Sequence, residues 1–532
     1  MADPRIVNGE PAVSYPPTLW ALLRETAVTH PTETVLADDH GRSFNRSELI
    51  THAESTAAAL AEAGVGSGSV VSWQLPTVVE SIVLLLALAR LDAVQNPLMP
   101  ILRENEIGFI TEQVGTEVLV VPATWRGFDH GAMAREIGKT VGFSVVELDL
   151  ESPLGPGDLR LPVGDPGSLP PEPLSSPAGD GVRWLYFSSG TTGKPKGARH
   201  TDSSIMASAS GMVGGTGFGP DDVYPIAWPI SHIGGGTMLT ASLVVGTQLV
   251  LFDAFDREVT PLRMASHGPT YLGTALPFFR AFMDAQLRHG DEPLFPKAHR
   301  ATFGGAPLPE AVHDELRDVV GIDTVLGSYG LTEFPIAATT HVDDPPEIRQ
   351  RAVGRPSPGA QVRVGTADGS GVSSDGEGEL YLRGPQRLVG YVDSALDLEA
   401  FDEEGWFRTG DLGTVDEDGN IRITGRLKDV IIRNAENISA LEVEDVLRLH
   451  PAVADVTVIG LPDARTGERV CAVVVLQAGE SFDMPAMVEV CTSAGLARYK
   501  HPEQLEIVEG LDRDAMGKVR KDGLKAQFGT NP

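Results

Sequence analysis

Apolar and polar residues recur along this chain with two periods, and the switches between them lay out its elements. From Asn45 to Gly64 the apolar positions Leu49, Ala53 and Leu60 fall on one face of a 3.6-residue helix. Asn45 and Glu48 stand in the order of a capping box, and Gly64 is placed to end the helix. SVVSWQL (Ser69 to Leu75) predicts a strand, VVESIVLLLALARL (Val78 to Leu91) a helix and EVLVV (Glu117 to Val121) a further strand. TQLVLF (Thr247 to Phe252) continues the alternation. Strands alternating with helices predict an α/β fold, a large N-terminal domain of parallel-rich sheets covered by helices. Between Glu151 and Asp180 proline and glycine leave no period, so an irregular surface connection leads into the strand WLYF (Trp184 to Phe187).

The texture changes near Gly425. LEVEDVLRLH reads as a short helix, ADVTVIG and VCAVVVL as strands and Met484 to Ala494 as another helix, before the basic stretch MGKVRKDGLK. This predicts a small α+β domain, and the chain divides into a large domain over 1–426 and a small one over 427–532. No internal repeat, heptad or low-complexity block interrupts the pattern.

Composition narrows the function. The chain of 532 residues, 42% hydrophobic and 22% charged, is long enough for several cores. Its longest strongly apolar run, Ile82 to Ala89, stops at Arg90 and is too short to span a bilayer. The start, MADPRIVNGEP, lacks a basic segment followed by an apolar one, which predicts cytoplasmic residence without a secretory signal. Two cysteines, Cys471 and Cys491, exclude a disulfide framework and a multi-cysteine metal site. With 42 basic and 73 acidic side chains the net charge is −31, which repels nucleic acid, so an anionic ligand needs a local basic cluster.

Such a cluster stands in YFSSGTTGKPKGARH, Tyr186 to His200. Glycines and hydroxyls flanked by Lys194 and Lys196 suit a loop that wraps phosphate with backbone N–H groups. The spacing is not that of the common P-loop, because two residues separate Gly190 from Gly193 and Pro195 follows Lys194. Five further motifs follow in order: GGAPLPE from Gly304, GSYGLTE from Gly327, GWFRTGD from Gly405, ITGRLKD from Ile423 and AMGKVRK from Ala515. On these motifs the chain resembles, over nearly its whole length, the adenylate-forming superfamily of acyl- and aryl-CoA synthetases, peptide-synthetase adenylation domains and beetle luciferases.

The resemblance implies ATP, Mg²⁺ and CoA as cofactor and co-substrates, and a two-step reaction. A carboxylate attacks the α-phosphate of ATP, releasing pyrophosphate and leaving an acyl-AMP whose carbonyl a thiol then attacks. It implies that Ser188, Ser189, Gly190, Thr191, Thr192, Gly193, Lys194 and Lys196 grip the phosphates. Thr332 meets the α-phosphate and Glu333 supplies a carboxylate to the metal, a hard cation that wants oxygen ligands. Gly305 and Ala306 give adenine a flat wall, Tyr329 packs on it beside Ser328, Asp411 accepts from the ribose hydroxyls and Arg426 donates near them. Lys518 bridges the α-phosphate and the attacking carboxylate, and the small domain hinges at Lys428. His232, in WPISHIGGG, moves between half-reactions beside the acyl pocket, where the glycine run leaves room. QLP (Gln74 to Pro76) with Ala87 to Ile107 is similar to short- and medium-chain fatty-acid and alicyclic-acid CoA ligases, and no extra basic residue lies in the pocket segments. An apolar monocarboxylate is therefore expected.

One departure concerns the thiol. Asn434 and Ala435, before Glu436, stand where many CoA ligases carry Gly-Gly beside the pantetheine channel. A stand-alone enzyme that adenylates for a carrier protein or an amine is thus a second reading, although no carrier segment follows before Pro532. A catalytically dead nucleotide sensor is a third, and Glu333, Asp411, Arg426 and Lys518 together argue against it. The expected partners are small molecules, with no nucleic acid and no transmembrane segment, and a homodimer is left open.

Overall fold

The computed structural model describes residues 5–152, 155, 157–174, 181–188, 195–305, 308–365, 376–433, 436–463, 465–514 and 517–529. Two compact units emerge, one of Asn8–Gln361 with Leu382–Phe407, the other of Met1–Val7, Val362–Tyr381 and Arg408–Pro532.

In the larger unit the expected helix forms as Arg46–Glu62. Its capping box closes as the sequence predicts: Asn45 Oδ1 accepts from Glu48 N at 2.9 Å, and Glu48 Oε2 accepts from Asn45 N at 2.8 Å. Leu49, Ala53 and Leu60 are buried on its inner face. The apolar run Ile82 to Ala89 is the middle of a helix, Val79–Arg90, buried along its whole length, which is why it shows no amphipathic stripe. The strands Val182–Ser188, Val94–Pro97, Val70–Trp73, Val118–Pro122 and Ser144–Leu148 lie side by side and parallel. Lys196–Thr201 and then Gly390–Tyr391 extend this sheet antiparallel beyond Val182–Ser188. A four-stranded sheet contains Gln248–Leu251, the strand predicted at Thr247. A five-stranded sheet runs parallel through Tyr271–Thr274, Arg300–Gly304 and Thr324–Leu331, then turns back antiparallel as Phe334–Thr339.

The smaller unit has two five-stranded sheets. One ends in the antiparallel pair Phe407–Val415 and Ile421–Arg426. The other is built on the hairpin of Val453–Asp463 and Gly467–Leu476, the two strands expected from ADVTVIG and VCAVVVL. Val456 and Val458 pack on the helices Ala440–Leu447 and Met484–Ser493, while Ile459 and Leu461 pack on Lys521–Phe528. A strand covered on both faces reads as a continuous apolar run, as these do. Among the described residues no helix is long and apolar enough to cross a membrane, and both cysteines are buried and free.

Candidate active site

Ser188 ends one strand and Lys196 begins its antiparallel partner, and the two are opposite each other in the ladder. Ser189, Gly190, Thr191, Thr192, Gly193 and Lys194 lie outside the described residues, as do Ala306, Asn434 and Ala435, and the side chain of Glu436. Ser328 and Tyr329 belong to the strand Thr324–Leu331, with Tyr329 buried. Ser328 Oγ donates to the Phe303 carbonyl at 3.0 Å, which ties that strand to the one ending at Gly304. Gly305 follows it, and among the described residues nothing lies within 4 Å of where its Cβ would stand.

The turn between Thr324–Leu331 and Phe334–Thr339 carries Thr332 and Glu333, and two residues that sequence reasoning left without a role fix it. His200 Nε2 donates to the Thr332 carbonyl at 2.8 Å, with Nδ1 3.0 Å from Ser204 Oγ. Burial holds this imidazole near a pKa of about 4, so it is a neutral ring whose Nε2 carries the proton. Tyr391 donates its hydroxyl to Glu333 Oε1 at 2.8 Å. Burial, reinforced by the Glu333 charge, pushes this phenol above its ordinary range and keeps the hydroxyl protonated. Glu333 is itself 8% exposed, out of bulk water, and among the described residues Tyr391 is its one side-chain donor. The alternation in KGARHT, which buries Ala198 and His200, is the sequence signal that could have drawn attention to His200. Tyr391 sits in a two-residue strand and gives no such signal.

His232 caps the helix Ile233–Val245, its Nδ1 accepting from Gly234 N at 3.2 Å. It shares a small cavity with Thr332, Tyr186, Ser231, Met99 and Leu102. The Ser231 hydroxyl is buried there with no hydrogen-bond partner among the described residues, so it is available to a ligand. The glycine run after His232 serves two ends: a Cβ on Gly235 would stand 1.8 Å from the Ile230 carbonyl, and one on Gly236 2.9 Å from the hydroxyl of Tyr186 in the cavity lining. Gly235 lets the chain turn into the helix past its own backbone, and Gly236 leaves the space expected of the run beside Tyr186.

Gln74, singled out in QLP, holds two of the residues that line this cavity. Its Nε2 donates to the Met99 and Leu102 carbonyls, both at 3.0 Å, and its Oε1 lies 3.2 Å from His130 Nδ1. His130 is lowered to about 4 by burial and then by the Arg103 charge, so its neutral ring donates Nδ1–H to the amide.

The smaller unit brings together the other four predicted residues. Asp411 and Arg426 are opposite each other in the ladder, with Arg426 Nε 2.7 Å from Asp411 Oδ1. Lys428 lies exposed in the short turn Leu427–Asp429. Lys518 is held by backbone: its N–H donates to Asp514 Oδ1 at 2.9 Å and its carbonyl accepts from Asp514 N at 2.8 Å. Gly517 makes that turn with φ +83°, a conformation that favours glycine. Burial first, then the charges of Arg426 and Lys428, lower the Lys518 ammonium to about 8 against the opposing pull of Asp411 and Asp429. A cation held among cations is poised to meet an anion brought to it.

Residues 23–392 match the family model described as AMP-binding enzyme, and residues 442–518 the model described as AMP-binding enzyme C-terminal domain. The chain is 31% identical over 505 residues to a medium-chain fatty-acid–CoA ligase of Escherichia coli, covering 94% of this chain and 88% of that one. It is 32% identical over 532 residues to a salicyl-AMP ligase / salicyl-S-ArCP synthetase of Mycobacterium tuberculosis, covering 96% and 91%. The fold superposes on ATP-bound MatB from Rhodopseudomonas palustris with a TM-score of 0.83 at 25% identity, over 96% of this chain and 99% of that one.

Proposed function

Because the chain belongs to the AMP-binding enzyme family, an adenylate-forming group of ligases, we propose that it is an AMP-forming acyl-CoA synthetase. In this reading it activates an apolar monocarboxylic acid as acyl-AMP and passes the acyl group to CoA. The observation that carries it is the fixed Thr332–Glu333 turn beside a cavity that also holds His232 and the unpartnered Ser231 hydroxyl. Such an arrangement provides pre-oriented polar groups where charge develops, next to a space for a small acid.

In adenylation the chain's task is to bring two anions together. Ser188 to Lys196 bind the β- and γ-phosphates, Thr332 offers its hydroxyl to the α-phosphate, and Lys518 contributes its positive charge as the carboxylate attacks. Tyr329, Ser328 and Gly305 hold the adenine; Asp411 and Arg426 hold the ribose. The chemistry of Glu333 fits Mg²⁺, a hard cation that wants oxygen ligands: the side chain is buried and only its Oε1 takes a hydrogen bond from the described residues, so it would hold the ion through a carboxylate oxygen. When bound, Mg²⁺ neutralises charge on the phosphate oxygens. For the second step the small domain, 427–532, turns about Lys428, His232 rotates aside, and the segment Asn434 to Glu436 borders the thiol's approach.

A second reading keeps adenylation and gives the acyl group to a carrier protein. Asn434 and Ala435 in place of Gly-Gly favour it, as does the likeness to an enzyme named for transfer to ArCP. One experiment separates the two. Pyrophosphate release with a panel of carboxylic acids, with and without CoA, followed by mass spectrometry, yields acyl-CoA on the first reading. Acyl-AMP that persists when CoA is added supports the second.

A further inference from the structure

Glu333 is gripped twice by one short segment. The Leu388 N–H donates to the Glu333 carbonyl at 2.9 Å, and the Tyr391 hydroxyl donates to its Oε1 at 2.8 Å. The same segment is stitched to the strand Lys196–Thr201: Val389 N donates to Arg199 O and Val392 N to Gly197 O, both at 2.8 Å. Ala198 and Arg199 pair with Tyr391 and Gly390. Tyr391 is fixed in turn, its N–H donating to Asp397 Oδ1 at 2.8 Å and its ring packed with Ala198, Leu388 and Phe407. From the same strand His200 holds the Thr332 carbonyl. The strand that leaves the phosphate-gripping segment and the turn that carries the acidic residue are therefore joined through 388–392.

We propose that Tyr391 is a positioning residue for the metal site: by occupying Glu333 Oε1 it fixes the carboxylate plane and presents Oε2 to the cation. The inference rests on the reading above, in which Glu333 is the metal ligand. A carboxylate tethered at one oxygen presents the other without the entropy of freezing a free side chain, and outer-shell partners of metal ligands act in this way. No described residue hydrogen-bonds Oε2, which leaves that oxygen for the cation.

Mn²⁺, whose free form is counted by electron paramagnetic resonance, tests this without turnover. Full-length protein is titrated with Mn²⁺ with α,β-methylene-ATP kept below the protein concentration, so that no free nucleotide competes for the ion, comparing the parent, Glu333→Gln, Tyr391→Phe and the double variant. Phe keeps the packed ring and removes only the hydroxyl. We expect Tyr391→Phe to weaken Mn²⁺ binding roughly tenfold or more, the usual cost of losing such a partner, and to have no further effect in the Glu333→Gln background. If Glu333→Gln binds Mn²⁺ like the parent, the metal role of Glu333 falls and this inference falls with it. If Glu333→Gln weakens binding but Tyr391→Phe does not, the metal role stands and Tyr391 is not its positioner. An equal loss from Tyr391→Phe in both backgrounds also overturns the inference, because the effect would then not pass through Glu333.

Discussion

Lys518 is lowered to about 8 chiefly by burial, with Arg426 and Lys428 adding repulsion, and this has consequences of opposite sign for activity and stability. Unfolded, a lysine keeps its proton to about 10.4. Below pH 8 both states are charged and the folded one bears the full cost of holding the ammonium. Between pH 8 and the unfolded value the unfolded chain binds the extra proton, so this cost is relieved as pH rises. Replacing Lys518 with Gln should therefore raise the melting temperature at pH 7, by at most about 3 kcal/mol in stability terms, while adenylation falls by roughly two to four orders of magnitude. Thermal unfolding and acyl-AMP formation measured on one preparation check both. For the parent, kcat/KM for adenylation should fall as pH rises through about 8, since only the ammonium offsets transition-state charge. A profile flat from pH 7 to 9.5 would remove Lys518 from that role.

Elements were legible where local chemistry and tertiary packing agree. The helix Arg46–Glu62 announces its start through Asn45 and Glu48, and its buried face through Leu49, Ala53 and Leu60. Asn45→Ala should cost about 1 kcal/mol, the usual worth of an N-cap, and leave both half-reactions unchanged; equal denaturation midpoints would show the cap contributes nothing. The glycine run after His232 was legible only in part, because glycine in a sequence does not say whether it makes space or tolerates contact: at Gly235 the Ile230 carbonyl decides for contact, at Gly236 the Tyr186 hydroxyl for space. The brace of Leu388 to Val392 was invisible for a different reason. A two-residue strand has no period, and the meaning of Tyr391 comes from Glu333, 58 positions away in the chain. His200 was quoted but given no task, since its partner, the Thr332 carbonyl, is backbone and leaves no trace in residue identity.

At the scale of the molecule, a net charge of −31 makes the few local cation clusters the places where an anionic substrate can be held. The family and its α/β fold were readable because six motifs stand in order, each informative through the others; the acid and its acceptor were not, because they depend on cavity shape. On the proposed mechanism the two half-reactions place incompatible demands on Lys518, near the α-phosphate in the first and out of the thiol's way in the second. Lys428→Pro would lock φ near −65° in the turn Leu427–Asp429. It should preserve adenylation while thioester formation from preformed acyl-AMP falls steeply; single-turnover assays in which both halves survive would place the hinge elsewhere. The central claim, that the chain activates a carboxylate as its adenylate, is tested most directly by isotope exchange between pyrophosphate and ATP. The account predicts exchange that requires a carboxylic acid, is lost in Lys518→Ala, and accompanies AMP formation when CoA is added. ADP as the product, or no acid-dependent exchange across a broad panel of acids, would contradict it.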